Sequence, residues 1–135
     1  MSKKILLILI VIVLLGGGAA AWFLILKPSQ ETGDEPELYE YAIKDSFVTN
    51  VKDSSKLFKA TIVLVASEKG LDEYIEENQY VIRDTTLFVL RGLTETDIKS
   101  DDIQDRLRVS IPQAINQALG AESIVSVRFT DFVMQ

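Results

Sequence analysis

Leu57-Phe58-Lys59-Ala60-Thr61-Ile62-Val63-Leu64-Val65-Ala66 is the stretch on which the fold turns. Phe58, Ala60, Ile62, Leu64 and Ala66 alternate with Lys59 and Thr61, which is the two-residue period of a β-strand. Val63 and Val65 make the second face apolar as well, so the strand is expected at the centre of a sheet, covered on both faces. On its N-terminal side Lys52-Asp53-Ser54-Ser55 has the composition of a turn, and Phe47–Val51 and Tyr39–Lys44 read as two further short strands. On its C-terminal side Gly70 and Gly92 bracket a predicted helix. Leu71, Tyr74, Ile75, Asn78, Val81, Ile82, Thr85, Phe88 and Val89 recur at three and four and form its expected inner stripe. Asp72, Glu73, Glu76 and Glu77 crowd its first turns, where acid suits the helix dipole, and Gly92 is placed to cap its end.

Thr94–Ile98 reads as a short helical turn. Ser100 is then expected to cap a second long helix with Ile103, Leu107, Ile111, Ala114, Ile115, Ala118 and Leu119 on one stripe and Gly120 at its close. Pro112 lies inside it and is expected to bend or break it, because proline removes one backbone hydrogen bond. Val125, Val127 and Phe129 alternate with Ser126, Arg128 and Thr130 in a last strand. Asp131 falls on the apolar register there, so a bulge or an edge position is expected, letting Phe132 or Val133 turn inward. The order strand, strand, strand, helix, helix, strand predicts an α+β layer, a small sheet with two long helices packed on one face.

The other end of the chain follows different rules. Ile5 to Leu26 is a run of 22 residues without a charge. As a helix it reaches roughly 33 Å, against a hydrocarbon core of about 30 Å. Lys3 and Lys4 precede it, Trp22 suits the interface, and Lys27-Pro28 ends it. The positive-inside rule predicts residues 1–4 in the cytoplasm, a transmembrane helix at 5–26, an acidic linker at 27–38 and an extracytoplasmic domain at 39–135. A cleaved signal peptide with Ala19-Ala20-Ala21 as the cleavage site is the weaker reading, because apolar sequence resumes at Trp22–Leu26. Gly16/Ala20 and Gly17/Ala21 give small-x-x-x-small spacing, so Gly16, Gly17, Ala20 and Ala21 are the candidate face for helix packing in the membrane. The same glycines match a loose dinucleotide fingerprint, Gly16-x-Gly18-x-x-Ala21, but lack the strand–turn–helix context it needs.

Composition narrows the chemistry. The 135 residues contain no cysteine and no histidine, which rules out thiol and imidazole catalysis and zinc sites built on them. All 20 acidic residues lie beyond Lys27, against 11 of the 14 basic ones, so nucleic acid is not an expected partner. Asp97, Asp101, Asp102 and Asp105 lack the spacing, turn glycine and bidentate glutamate of a calcium loop. Arg83 and Asp84 are adjacent, so on a helix they point in different directions and need not pair. No motif supplies a nucleophile or a phosphate loop, and the expectation is a protein with no catalytic site, no cofactor, no metal and no small-molecule substrate.

Several stretches resemble one family. Phe47-Val48-Thr49-Asn50-Val51 with Leu57-Phe58-Lys59-Ala60 is similar to its early strands, and Val81-Ile82-Arg83-Asp84 with Leu87–Leu90 to its first helix. Leu107 through Ile115-Asn116-Gln117-Ala118-Leu119 is similar to its second helix, and Val127-Arg128-Phe129-Thr130-Asp131-Phe132-Val133-Met134-Gln135 to its terminal strand. Together with the basic start, single span and acidic linker, the arrangement resembles FliL, the flagellar basal-body-associated family. Pro112, and Asp102-Ile103 where many relatives carry an acidic residue and then glycine, depart from the pattern.

The resemblance implies a non-enzymatic motor accessory in the cytoplasmic membrane at the flagellar basal body, beside the ion-driven stator units. It implies support of torque under load and of swarming, and a homo-oligomer, with a ring around the stator as one form. It also implies an exported domain similar to the stomatin/prohibitin domain. The alternative from another class is a generic membrane-tethered extracytoplasmic interaction module.

Overall fold

Leu57–Ala66 is a ten-residue strand with the expected bounds in the computed structural model, which describes Lys3, Lys4 and residues 35–135. Along the chain the elements are β1 (Tyr39–Ala42), β2 (Phe47–Asn50), β3 (Leu57–Ala66), α1 (Asp72–Glu77), α2 (Gln79–Arg91), α3 (Glu95–Ile98), α4 (Ile103–Leu119) and β4 (Ile124–Met134). The expected span at 5–26 and the linker as far as residue 34 lie outside the described residues. Among the described residues no helix is long and apolar enough to cross a membrane.

The sheet is antiparallel throughout, with β3 at its centre. β4 pairs along nearly the whole of one edge of β3, Phe58 opposite Met134 and Ala66 opposite Ile124. β1 and β2 share the other edge end to end: Tyr39 opposes Ala66 and Phe47 opposes Ala60. They are two halves of one strand whose register slips by two residues at Ile43–Ser46. Asp45 takes φ 66° there, a left-handed geometry that aspartate tolerates better than most residues. The hydroxyls of Ser46 and Thr61 lie 2.8 Å apart across the kink.

Phe58, Ala60, Ile62, Leu64 and Ala66 are all buried, as the alternation requires, and share one core with Ile82, Leu90, Leu107, Ile111, Ile115 and Val127. α2 packs on β2 and on α4, and α4 packs on β4, so both long helices cover one face of the sheet. The expectation of cover on the second face holds only at Val65. That residue is 2% exposed and sits directly opposite Glu40, whose carboxylate meets Arg128 Nε at 2.6 Å across β3. Val48, Leu57 and Val133 on the same face remain open.

The structure corrects the helical readings in three places. Gly70 to Gly92 is not one helix: Asn78 ends α1 and begins α2. Its side-chain amide donates to the Tyr74 carbonyl at 2.8 Å, competing with the backbone for that acceptor. Beyond the break the buried line is Ile82, Thr86 and Leu90, whereas Val81 and Phe88, expected inside, are 40% and 81% exposed. Pro112 does not interrupt α4, which runs 17 residues through it. Proline in a helix interior costs about 3 kcal/mol, but Ile111, Ile115 and Leu107 are each worth about 1.5–3 kcal/mol when buried, and all three are. Ser100 is not the side-chain cap of α4; its hydroxyl donates to the Asp102 carboxylate, and its carbonyl accepts from Ile103 N at 3.3 Å. Gly120, with φ 63°, closes α4 in the left-handed conformation that glycine adopts without penalty.

In β4 the expected bulge exists. The register shifts where Thr61 opposes Asp131 and Ile62 opposes Phe129, leaving Thr130 unpaired. Asp131 is thereby left on the outer face, where it meets Lys59 at 3.2 Å, and Phe132 rather than the exposed Val133 turns inward. A second shift near Ser126 leaves Val125 exposed instead of in the core.

Candidate functional site

Three of the four acidic residues that invite a metal reading, Asp97, Asp102 and Asp105, are held by neighbouring groups, each in a different way. Asp97 closes a capping box with Thr94: Thr94 Oγ1 accepts from Asp97 N at 3.2 Å, and Asp97 Oδ2 accepts from Thr94 N at 2.9 Å. Thr94 Oγ1, which also donates to Asp97 Oδ2 at 2.7 Å, and then the Thr94 N–H, with Arg106 nearby, hold the Asp97 carboxyl below the ordinary range. Asp102 accepts from Ser100 and pairs with Arg106 at 3.3 Å, and its pKa is lowered by the same order of causes. Asp105 pairs with Arg108 at 2.7 Å. Among the described residues no three Cys, His, Asp or Glu side chains converge as a ligand set.

Glu95, on α3, is the most perturbed carboxylate. Ser54 Oγ donates to it at 2.6 Å and Lys56 Nζ at 2.9 Å, with Lys99 Nζ at 3.5 Å. These groups, Ser54 first, lower its pKa to about 2. The result ties the β2–β3 turn to the start of α3, and Lys52 N donating to Leu93 O at 2.9 Å reinforces it. This is a mechanical joint and holds no reacting geometry.

The stretches singled out by resemblance meet one another in space, and each meeting has a structural role. Arg83 on α2 stacks 4.7 Å above the Phe47 ring and donates to the carbonyls of Lys44 at 3.2 Å, Asp45 at 3.5 Å and Ser46 at 3.2 Å. It makes no pair with Asp84, as their adjacency allows, and fastens the kink between β1 and β2. Asn116 on α4 donates to Ile124 O at 2.7 Å and accepts from Ile124 N at 3.2 Å, which fixes where β4 starts. Phe132 stacks edge-on against Phe58 at 4.7 Å and Phe129 at 5.2 Å. Gln135 exchanges two backbone bonds with Leu57, each 2.8 Å, so the terminal residue is tied into the sheet.

Surface features carry what remains. Tyr80 and Phe88 on α2 are 80% and 81% exposed, and Val109 on α4 is 67% exposed. The helical period predicts Phe88 in the core only when its phase runs on through Asn78; with α2 starting at Gln79, Phe88 falls opposite Ile82 and Leu90. The membrane face proposed from sequence, Gly16, Gly17, Ala20 and Ala21, lies outside the described residues.

Comparison with known proteins adds to this geometry. The chain is 28% identical over 98 residues to the flagellar protein FliL of Aquifex aeolicus (strain VF5), covering 70% of this chain and 60% of that protein's length. The family profile described as flagellar basal body-associated protein FliL matches residues 40–135, which takes in all but the first residue of β1, every later element through β4, and each of the contacts made by Arg83, Asn116 and the phenylalanines. With that match running across the whole folded unit, the chain belongs to the FliL family.

Proposed function

We propose that this chain is a non-enzymatic accessory of the flagellar basal body. Residues 5–26 hold it in the cytoplasmic membrane, and residues 39–135 stand on the extracytoplasmic side. There it associates with stator units, oligomerises, and supports torque and swarming. The observation that carries this reading is the family match across residues 40–135. The unbroken apolar run from Ile5 to Leu26, flanked by Lys3, Lys4 and Lys27, supports the anchor. The prominent exposed aromatics Tyr80 and Phe88 favour a protein that works by contact. Tethering near the membrane, followed by oligomerisation, turns weak single contacts into strong collective ones through effective concentration.

Deletion of the gene should shrink the spreading zone on soft agar and abolish swarming, with recovery on expression of the full chain; a deletion strain that spreads and swarms like its parent refutes the proposal. Gly17→Leu should reduce recovery of stator proteins with the tagged chain while leaving the circular dichroism of the folded unit unchanged. Equal recovery removes the Gly16/Gly17/Ala20/Ala21 face from the account. A topology reporter fused after Gln135 should be active only outside the cytoplasm.

A further inference from the structure

β1 has two edges, and only one of them is used. Ile43 N donates to Ile62 O at 3.3 Å, so the backbone groups of Tyr41 and Ile43 face β3. By the alternation of an antiparallel strand, the N–H and C=O groups of Glu40 and Ala42 face away from it. No strand pairs with them among the described residues. α1 stands beside that edge and leaves a groove of about 550 Å³ between strand and helix. Glu40 and Ala42 form one wall, Asp72, Glu73 and Glu76 the other, and the nearly buried Ile75 contributes to the lining. The groove continues past Lys44 toward Gln79 and Arg83.

A strand edge flanked by a helix is the geometry in which extended peptides add to a sheet, their backbone pairing with the edge and their side chains reading the helix. The two unpaired residues repeat at the strand period, about 6.8 Å, which an extended backbone matches and a helix does not. Charge sets the chemistry. Three carboxylates of α1, those of Asp72, Glu73 and Glu76, line the groove against one ammonium, Lys44, which already meets Glu76 at 3.3 Å, while the fourth carboxylate of the lining, Glu40, is held by Arg128 across β3. The Lys44–Glu76 pair is 79% and 58% exposed, so it is weak and readily exchanged. Asp72 and Glu73 meet no cation among the described residues. A second copy adding through its own β1 would bring its own Asp72, Glu73 and Glu76 toward like charges. The chain's own segment 27–38, with Glu31, Asp34, Glu35 and Glu37, is acidic as well.

We propose that this groove takes an extended segment of a partner protein carrying alternating lysine or arginine, added as a strand along the outer edge of β1. Its backbone bonds to Glu40 and Ala42, and its cations lie on Asp72 and Glu73. The proposal does not depend on the motor role, since motility assays test that reading separately.

The test uses the full chain in a nonionic detergent and a fluorescein-labelled (Lys-Val)4 peptide, with (Glu-Val)4 as its counterpart, read by fluorescence anisotropy. The basic peptide should bind saturably and at least tenfold more tightly than the acidic one, weakening several-fold between 20 and 200 mM salt, roughly as screening of exposed charges requires. Ala42→Pro removes an outward N–H without removing a sheet bond, and proline is tolerated on such an edge; it should weaken binding at least tenfold. The paired change Asp72→Lys with Glu73→Lys should do the same. Hydrogen exchange on the unsubstituted chain supplies an independent reading, with the Glu40 and Ala42 amides slowing at least tenfold on saturation. Equal affinity for the two peptides, undiminished affinity after Ala42→Pro, no binding of the basic peptide, or unchanged exchange at both amides would each overturn the proposal.

Discussion

Replacing Arg83 with Met should destabilise the folded unit by about 2 kcal/mol, and replacing it with Lys by about half as much. The guanidinium makes three backbone contacts and one ring contact. The bond to Ser46 O at 3.2 Å is half-buried, so it is worth about 1 kcal/mol. The bond to Lys44 O is exposed and worth roughly half of that, and the Asp45 contact, at 3.5 Å, adds little. The stack on Phe47 contributes about 0.5–1 kcal/mol at a partly exposed site. Met retains the apolar stem over the ring but loses every bond. Lys retains the charge but loses the fork that spans three successive carbonyls. Stability of 1 kcal/mol moves the midpoint of a domain this size by about 4–8 °C, so Arg83→Met should lower it by roughly 10 °C and Arg83→Lys by roughly 5 °C. Thermal melts of the full chain in detergent, followed by far-ultraviolet circular dichroism, read this directly. Asp84→Ala, on the exposed side of the same helix, is the control and should shift the midpoint little. If both Arg83 variants melt within about 2 °C of the parent, the guanidinium does not hold the β1–β2 kink and the reading of that contact is wrong.

Asn116→Ala should cost about 1–2 kcal/mol by orphaning both backbone groups of Ile124. Asn116→Asp should cost at least as much at neutral pH, where a carboxylate oxygen would face the Ile124 carbonyl, and should recover part of the loss as acid restores a donor; urea melts at pH 7 and pH 4 distinguish the two. Ile111→Ala, at a side chain with no exposure, should cost about 2–5 kcal/mol, measured the same way. Glu95 has a depressed folded-state pKa, so the stability it contributes is present above the ordinary carboxylate range and fades as pH falls from about 4.5 to about 2. Glu95→Gln should therefore flatten the pH dependence of stability in that window, and an acid limb as steep as the parent's would contradict the Ser54 and Lys56 contacts.

Much of the sheet was legible because its signals are local. The alternation in Leu57–Ala66 needs no tertiary information, and its bounds and inward face match the structure. The bulge in β4 announced itself as a carboxylate on an apolar register, since a charge cannot be carried into the core without a partner. What failed depended on a competition between neighbours. Asn78 reads as helical by spacing, yet its amide takes the Tyr74 carbonyl and resets the phase, which moves Phe88 from core to solvent. Pro112 reads as a breaker, yet the isoleucine on either side of its turn is buried deeply enough to hold the helix together. The groove beside β1 was illegible for another reason. Which edge of a strand stays unpaired is a property of strand order, and nothing in Tyr39–Lys44 says that β4, and not some other strand, takes the far side of β3.

The residues that resemble the family and the residues available for contact are largely different sets, and this bears on how such a protein can be used. Arg83, Asn116, Phe129 and Phe132 spend their polar or aromatic groups inside the fold, fastening a kink, a strand start and a core edge. Their pattern in the sequence therefore reports a shape and says little about chemistry. Tyr80, Phe88, Asp72 and Glu73 make no such fastening: the aromatics are four-fifths exposed, and the two carboxylates meet no cation among the described residues. A fold held by internal fasteners leaves such positions free to vary with the partner. Substitutions at Tyr80 or Phe88 should accordingly change what co-purifies with the chain while leaving its melting midpoint nearly unchanged, the reverse of what Arg83 and Asn116 should do. A Phe88→Ser variant that melts several degrees lower would place that ring in the core after all and dissolve the division.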